Sequence, residues 1–106
     1  MEFDWEKIEF DLLGVKIHPL RKVDLLDYIV QSCQNKQPRI LAGANAFALN
    51  LAFEQPWYKR FMNDADLVYC DGIGVKWAAG MIGKSVPERL THLDWVYDLF
   101  SLCEVN

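Results

Sequence analysis

Cysteine is scarce in this sequence, and none of it stands at metal or redox spacing. Cys33, Cys70 and Cys103 are odd in number, widely separated and without a C-x-x-C pair, which argues against a disulfide framework or a structural zinc site and suits a reducing cytoplasm. The two histidines, His18 and His92, have no partner at ligand spacing, so no metal is expected. The chain does not open on a basic segment followed by an apolar stretch, and no apolar run approaches the about 18 residues of a spanning helix. An excess of positive charge is also missing. The net charge is -4, which gives no field to draw in nucleic acid or anionic lipid. With only 6 glycines and 4 prolines there is no linker, repeat or low-complexity tract.

What is present is an ordinary globular mixture. Hydrophobic residues make up 52% and charged residues 25% of 106 positions, enough for one domain with a packed core and far from the composition of a disordered chain. Ile8 to Ile17 mixes apolar and polar positions around Gly14 and reads as one or two short strands at a sheet edge. From Lys22 to Gln34, Val23, Leu26, Ile29, Val30 and Cys33 recur at helical spacing and predict an amphipathic helix with that face buried. Arg39 to Gly43 reads as a short buried strand, followed by Asn45 as the cap of a helix reaching Phe53. Pro56 suits the first position of another helix, ending near Asn63. Leu67 to Cys70 is a second buried strand, Asp71 to Gly74 the turn after it, and Val75 to Ile82 a helix on the sheet. A loop from Gly83 to Leu93 precedes a last helix from Asp94 to Cys103.

Strand and helix alternating in this way predict an α/β fold, a mostly parallel sheet with helices on both faces in a Rossmann-like half-domain. Ligands of such sheets sit outside the carboxyl ends of the strands, which brings the loops Gly43 to Asn45 and Asp71 to Gly74 to one crevice. Asp71 is the leading ionisable group. Spacing alone favours the plainer reading, turn and cap chemistry; the functional one is a general base that takes a proton from a substrate hydroxyl. A helix start weakens a carboxylate as a base, and partial burial offsets this. Gly72 and Gly74 form a G-x-G, but Trp77 stands where a dinucleotide fingerprint needs its third glycine, so the glycines read as letting a substrate approach the helix start. Arg89 is either a solvated loop charge or a phosphate ligand. Asn45 either caps its helix, binds a sugar, or does both. The four tryptophans, Trp5, Trp57, Trp77 and Trp95, read as core or half-buried surface and not as sugar platforms.

Taken together, Asn45-Ala46, Asn63-Asp-Ala-Asp-Leu-Val68, Asp71-Gly-Ile-Gly-Val75, Trp77-Ala78 and Pro87-Glu-Arg-Leu90 resemble the WecG/TagA/CpsF glycosyltransferases. The combination is far more specific than any one piece. The resemblance implies an inverting transfer, without metal or other cofactor, of N-acetylmannosamine or a related sugar from a UDP-sugar donor to a lipid-linked sugar acceptor on undecaprenyl diphosphate, in teichoic acid or other surface polysaccharide synthesis. It implies Asp71 as the base that deprotonates the acceptor, reversing the balance reached from spacing. It implies Arg89 on diphosphate charge and Asn45 in a substrate loop, with Gly72, Gly74 and Thr91 beside them.

Two positions depart from that pattern. Gly43 stands where a threonine is expected, and His92 follows Thr91 where a glycine is expected, so substrate fit differs. The resemblance spans residues 8 to 103 and the first part only of the family's domain. It therefore implies an N-terminal half-domain, cytoplasmic and peripheral to the inner face of a membrane, without much of the donor site and inactive as this chain alone. An exposed apolar edge or helix face and a homo-oligomer are expected with it. The other reading is a non-catalytic interaction module, or a remnant, that pairs with a separate second half.

Overall fold

A computed structural model describes residues 5–87, 90 and 92–105. The first strands, β1 (Phe10–Leu12) and β2 (Val15–Ile17), form an antiparallel hairpin in which Leu12 faces Val15. Its two-residue turn holds Leu13 at φ 54 and Gly14 at φ 86, the left-handed pair that matches strand twist. Leu13 is an unfavourable choice there, and the Leu-Gly pair is why the sequence does not announce a hairpin as Asn-Gly would. Asn63 closes the open side of β2: the Lys16 N–H donates to its Oδ1 at 2.9 Å, and its Nδ2 donates to the Gly14 carbonyl at 2.9 Å. A side-chain amide thus supplies what a neighbouring strand would have supplied.

Helix α1 (Lys22–Gln34) has the bounds its pattern predicts and part of the face: Leu26 is buried and Ile29 packs on a core cluster. Val23 is 58% exposed and Cys33 is exposed, whereas Leu25 and Tyr28, outside the predicted face, are buried. Two polar contacts that a hydrophobic count ignores accompany this, one capping the helix and one anchoring its buried side. The Asp24 carboxylate folds back to accept from the Arg21 N–H at 2.9 Å, and the Tyr28 hydroxyl donates to Glu6 at 3.2 Å. Strand β3 (Leu41–Ala44) leads into α2 (Ala46–Glu54), then α3 (Pro56–Asp64), β4 (Leu67–Cys70), α4 (Ile73–Met81) and α5 (His92–Val105). Strands β3 and β4 are parallel, with Leu41 beside Leu67 and Ala44 beside Cys70. Asp66 latches their start: its Oδ2 accepts from the Ile40 N–H at 2.7 Å, and its own N–H donates to the Ile40 carbonyl at 2.9 Å.

β4 is wholly buried, and its side chains alternate between two apolar clusters. Val68 and Cys70 join Ala48, Leu49, Met62, Val75 and Ala79 from α2, α3 and α4. Leu67 and Tyr69 join Leu25 and Tyr28 of α1, Leu90 and, at the edge, Trp95 of α5. Lys22 and Asp98, 2.7 Å apart, tie α1 to α5.

The fold class expected from the sequence is corrected here. The structure is mostly helical, with two small two-stranded sheets, and is not a sheet-dominated Rossmann-like fold. Only β3 and β4 are parallel. The first two strands turn back on each other over a tight turn, and the extension of β2 meets β4 through a single parallel bridge, His18 to Tyr69. The pairing does not grow past it, because the Cys70 carbonyl that the next bond would use accepts from the Leu90 N–H instead. Strands of three or four residues leave most of the apolar surface to be covered by helix on helix. Two tryptophans also differ from expectation: Trp57 and Trp77 are exposed, the second 68%. With Ile73 and Met81, at 40% and 88%, Trp77 makes an outward apolar row along α4 at four-residue spacing. Among the described residues no helix is long and apolar enough to cross a membrane.

His18, with no exposed surface, is the joint between the hairpin and β4. Its N–H donates to the Val68 carbonyl at 2.7 Å, and its Nδ1 accepts from the Val68 N–H at 2.9 Å. Nδ1 is therefore the unprotonated nitrogen, and Nε2–H points to the Glu6 carbonyl at 3.2 Å. Burial holds the ring below its ordinary pKa of 6.5, against the Glu6 carbonyl and the Glu9 carboxylate 3.6 Å away, which favour the proton, while the Lys16 ammonium disfavours it. The unfolded chain then binds that proton more readily, so the contribution of His18 is complete above pH 6.5 and is lost as pH falls below it. The thermal midpoint should drop between pH 7.5 and 5.5, and the drop should shrink markedly in His18→Asn, as followed by circular dichroism at each pH.

Candidate functional site

The parallel register of β3 and β4 brings their carboxyl ends together, and the residues that follow each strand share one corner. The Asp71 N–H donates to the Ala44 carbonyl at 2.9 Å, extending the pairing by one bond beyond the strands. Asn45 is the N-cap of α2. Its Oδ1 accepts from the Ala48 N–H at 2.7 Å, so the capping function is real, and the Nδ2 donors with the second Oδ1 lone pair are what a ligand could use. Gly72 is the N-cap of α4 at φ 108 and ψ 152, a conformation closed to other residues. A side chain there would begin 3.9 Å from the Asn45 Cβ, so the two helix starts face each other across a short gap. Gly74, in the first turn of α4, is exposed with nothing within 4 Å of where its Cβ would lie. It leaves open space at the helix start.

Asp71 is half-buried, and its carboxylate leans back over β3. A Cβ placed on Gly43 would stand 3.2 Å from Asp71 Oδ2, and 3.0 Å from both Cζ and Oη of Tyr69. Tyr69 and Asp71, two residues apart on a strand and its extension, therefore aim polar ends at the same small volume. Tyr69 pairs in register with Gly43, and its ring meets Trp95 edge-on with centroids 6.0 Å apart. Burial raises the Tyr69 hydroxyl above its usual pKa of 10, the Trp95 side chain opposes that, and the Asp71 charge adds to it. The phenol is a neutral donor at any working pH. Cys70, on the opposite face of β4, is pushed up to about 11 by burial and the Asp71 charge, with Lys76 opposing them. That thiol stays protonated and is no nucleophile.

The structure thus brings together Asn45, Asp71, Gly72 and Gly74 of the residues singled out in the sequence. Arg89 and Thr91 lie outside the described residues. Leu90 between them is buried, and its N–H donates to the Cys70 carbonyl at 2.6 Å, one residue from Asp71. Sequence reading passed over Tyr69, counted only as part of an apolar strand. The signal available was its place two residues before Asp71, on the same face. Among the described residues no group of three or more His, Cys, Asp or Glu could hold a metal.

A half-buried carboxylate and two helix starts around a corner open to solvent, with the largely buried Tyr69 phenol behind them, can accept one proton and offer several hydrogen bonds to a polyhydroxylated ligand. The sequence model of the Glycosyl transferase WecG/TagA/CpsF family matches residues 10–106. No curated protein matches the chain. Replacing Asn45 by alanine removes the cap of α2 and should lower stability by about 1 kcal/mol, read from urea unfolding, with the corner otherwise intact.

Proposed function

The chain belongs to the WecG/TagA/CpsF glycosyltransferase family, and from that premise we propose that it serves transfer of N-acetylmannosamine or a related sugar from a UDP-sugar to a sugar carried on undecaprenyl diphosphate. Asp71 is the general base. It takes the proton of the acceptor hydroxyl as that oxygen attacks the anomeric carbon, and the UDP leaves from the opposite face with inversion. Arg89 holds the diphosphate charge that develops on the leaving group, and Thr91 assists it. The Asn45 amide, with Gly72 and Gly74, lets the sugar lie close against the two helix starts. The reaction takes place where a soluble donor meets a lipid acceptor, at the inner face of a membrane.

The observation that carries this reading is the convergence at the strand ends: the register sets Ala44 beside Cys70, so the Asn45 loop and Asp71 open onto one corner. Asp71→Asn keeps the shape of the side chain and removes its basicity, and in an assay that supplies a separate second half of the domain it should reduce sugar transfer by about 10²- to 10⁴-fold while leaving the thermal midpoint of the chain within about two degrees. Arg89→Ala should weaken binding of UDP-N-acetylmannosamine by about tenfold in calorimetric titration. Transfer retained in the asparagine variant would remove the base from this site.

A second reading, an interaction module that pairs with itself or with a separate second half, is favoured by the apolar row Ile73, Trp77 and Met81 on α4. Under it the chain associates as concentration rises without binding UDP-sugar, and Trp77→Lys with Met81→Lys returns it to monomer in sedimentation velocity.

A further inference from the structure

Gly43 is where β3 gives up a side chain, and what occupies the vacated volume is informative. The nearest atoms to the missing Cβ are the tip of Tyr69, at 3.0 Å, and Asp71 Oδ2, at 3.2 Å. Both contacts are closer than ordinary carbon packing, so even a methyl group at residue 43 would have to displace the phenol, the carboxylate or both. Residue 43 therefore has to be small for Tyr69 and Asp71 to stand where they do. The phenol itself has a fixed direction. Its ring is buried between Leu67, Leu90 and the edge-on ring of Trp95, which leaves two stiff torsions and no room to swing.

The chemistry of the pair is complementary. A carboxylate can only accept hydrogen bonds, and the neutral phenol is the matching donor. A sugar ring presents neighbouring hydroxyls, each able to donate and accept. One acceptor-only group binds a single hydroxyl and leaves the ring free to rotate about that contact. A donor aimed at the same volume fixes the second hydroxyl and with it the ring.

We infer that Tyr69 is a substrate-positioning residue: its hydroxyl donates a hydrogen bond to the acceptor-sugar hydroxyl next to the one that Asp71 deprotonates, and Gly43 is required to admit it. The inference rests on the glycosyl-transfer reading and adds to it the acceptor side of the site. Its ligand is a pyranoside with two adjacent free hydroxyls.

The test is a ligand–protein double cycle on the intact chain. A soluble methyl N-acetylhexosaminide and its singly deoxygenated analogues are titrated against the parent protein and Tyr69→Phe, with affinity read from amide shifts in nuclear magnetic resonance. Tyr69→Phe keeps the ring against Trp95, and a parallel melt checks that it stays folded. It should weaken the parent glycoside by roughly five- to tenfold. One deoxygenation should weaken binding to the parent protein by the same factor and have no effect on the phenylalanine variant, a non-additivity that a purely structural tyrosine would not produce. Gly43→Ala should weaken the glycoside in the parent protein as well.

Equal losses for every deoxygenation in both proteins would overturn the assignment of Tyr69. Binding of UDP-N-acetylmannosamine without any binding of the glycoside would overturn it too, while leaving the donor side of the proposed function standing. Absence of binding by both ligands would bring down the functional reading and this inference together.

Discussion

The parallel pairing of Leu41–Ala44 with Leu67–Cys70 is the constraint from which the rest of the molecule is built. Four paired positions are a small piece of sheet, and they are held at both ends by bonds that are not part of the strands. Asp66 latches the start to Ile40, and the Asp71 N–H closes the finish on Ala44. Because β4 is buried on both faces, its alternating side chains divide the apolar residues into two clusters and decide which helix goes where. A slip of one residue in this register would exchange the two sets and would also part Asn45 from Asp71. Stability and site geometry thus depend on the same few hydrogen bonds.

A second set of polar side chains completes what the short strands cannot. His18 bonds both the N–H and the carbonyl of Val68, by ring nitrogen and backbone, and so joins the hairpin to β4 without a further strand. Asn63 does the same for the other side of β2. Buried donors and acceptors have to be matched, and in a molecule with little sheet the matching falls to side chains. This is why His18 is a structural element, and why the Asn63 to Asp66 segment of the family motif serves the backbone before any substrate.

Most of the local elements were legible in the sequence because each rests on a short-range cause. Pro56 starts α3, Asn45 caps α2, and Leu67 to Cys70 is the strand its apolar run suggests. The placement of Asp71 after β4, beside the Asn45 loop, was legible too, since it needs only the order of strand and turn. What failed was whatever depends on polar contacts distant in sequence. Tyr28 is buried on α1 with its hydroxyl on Glu6, 22 positions away, a contact that no hydrophobic period records. The extent of the sheet is limited by the Leu13–Gly14 turn and by Leu90 taking the Cys70 carbonyl, so the larger parallel sheet inferred from alternation alone does not form and only β3 and β4 pair in parallel. Tyr69 escaped notice because an aromatic residue in an apolar run reads as core, and only the register reveals that it stands opposite a glycine.

By itself the sequence determined where the helices and strands lie, which loop carries the acidic residue, and the family to which the motifs point. These follow from propensities, caps and residue order, all of which act over a few positions. Only the tertiary structure decided which strands pair, how little sheet there is, that Leu25 and Tyr28 of α1 are buried, and that a phenol and a carboxylate meet over Gly43. Those depend on atoms brought together from positions as far apart as His18 and Val68, and such a meeting is selected by the packing of the whole chain, not by any segment of it.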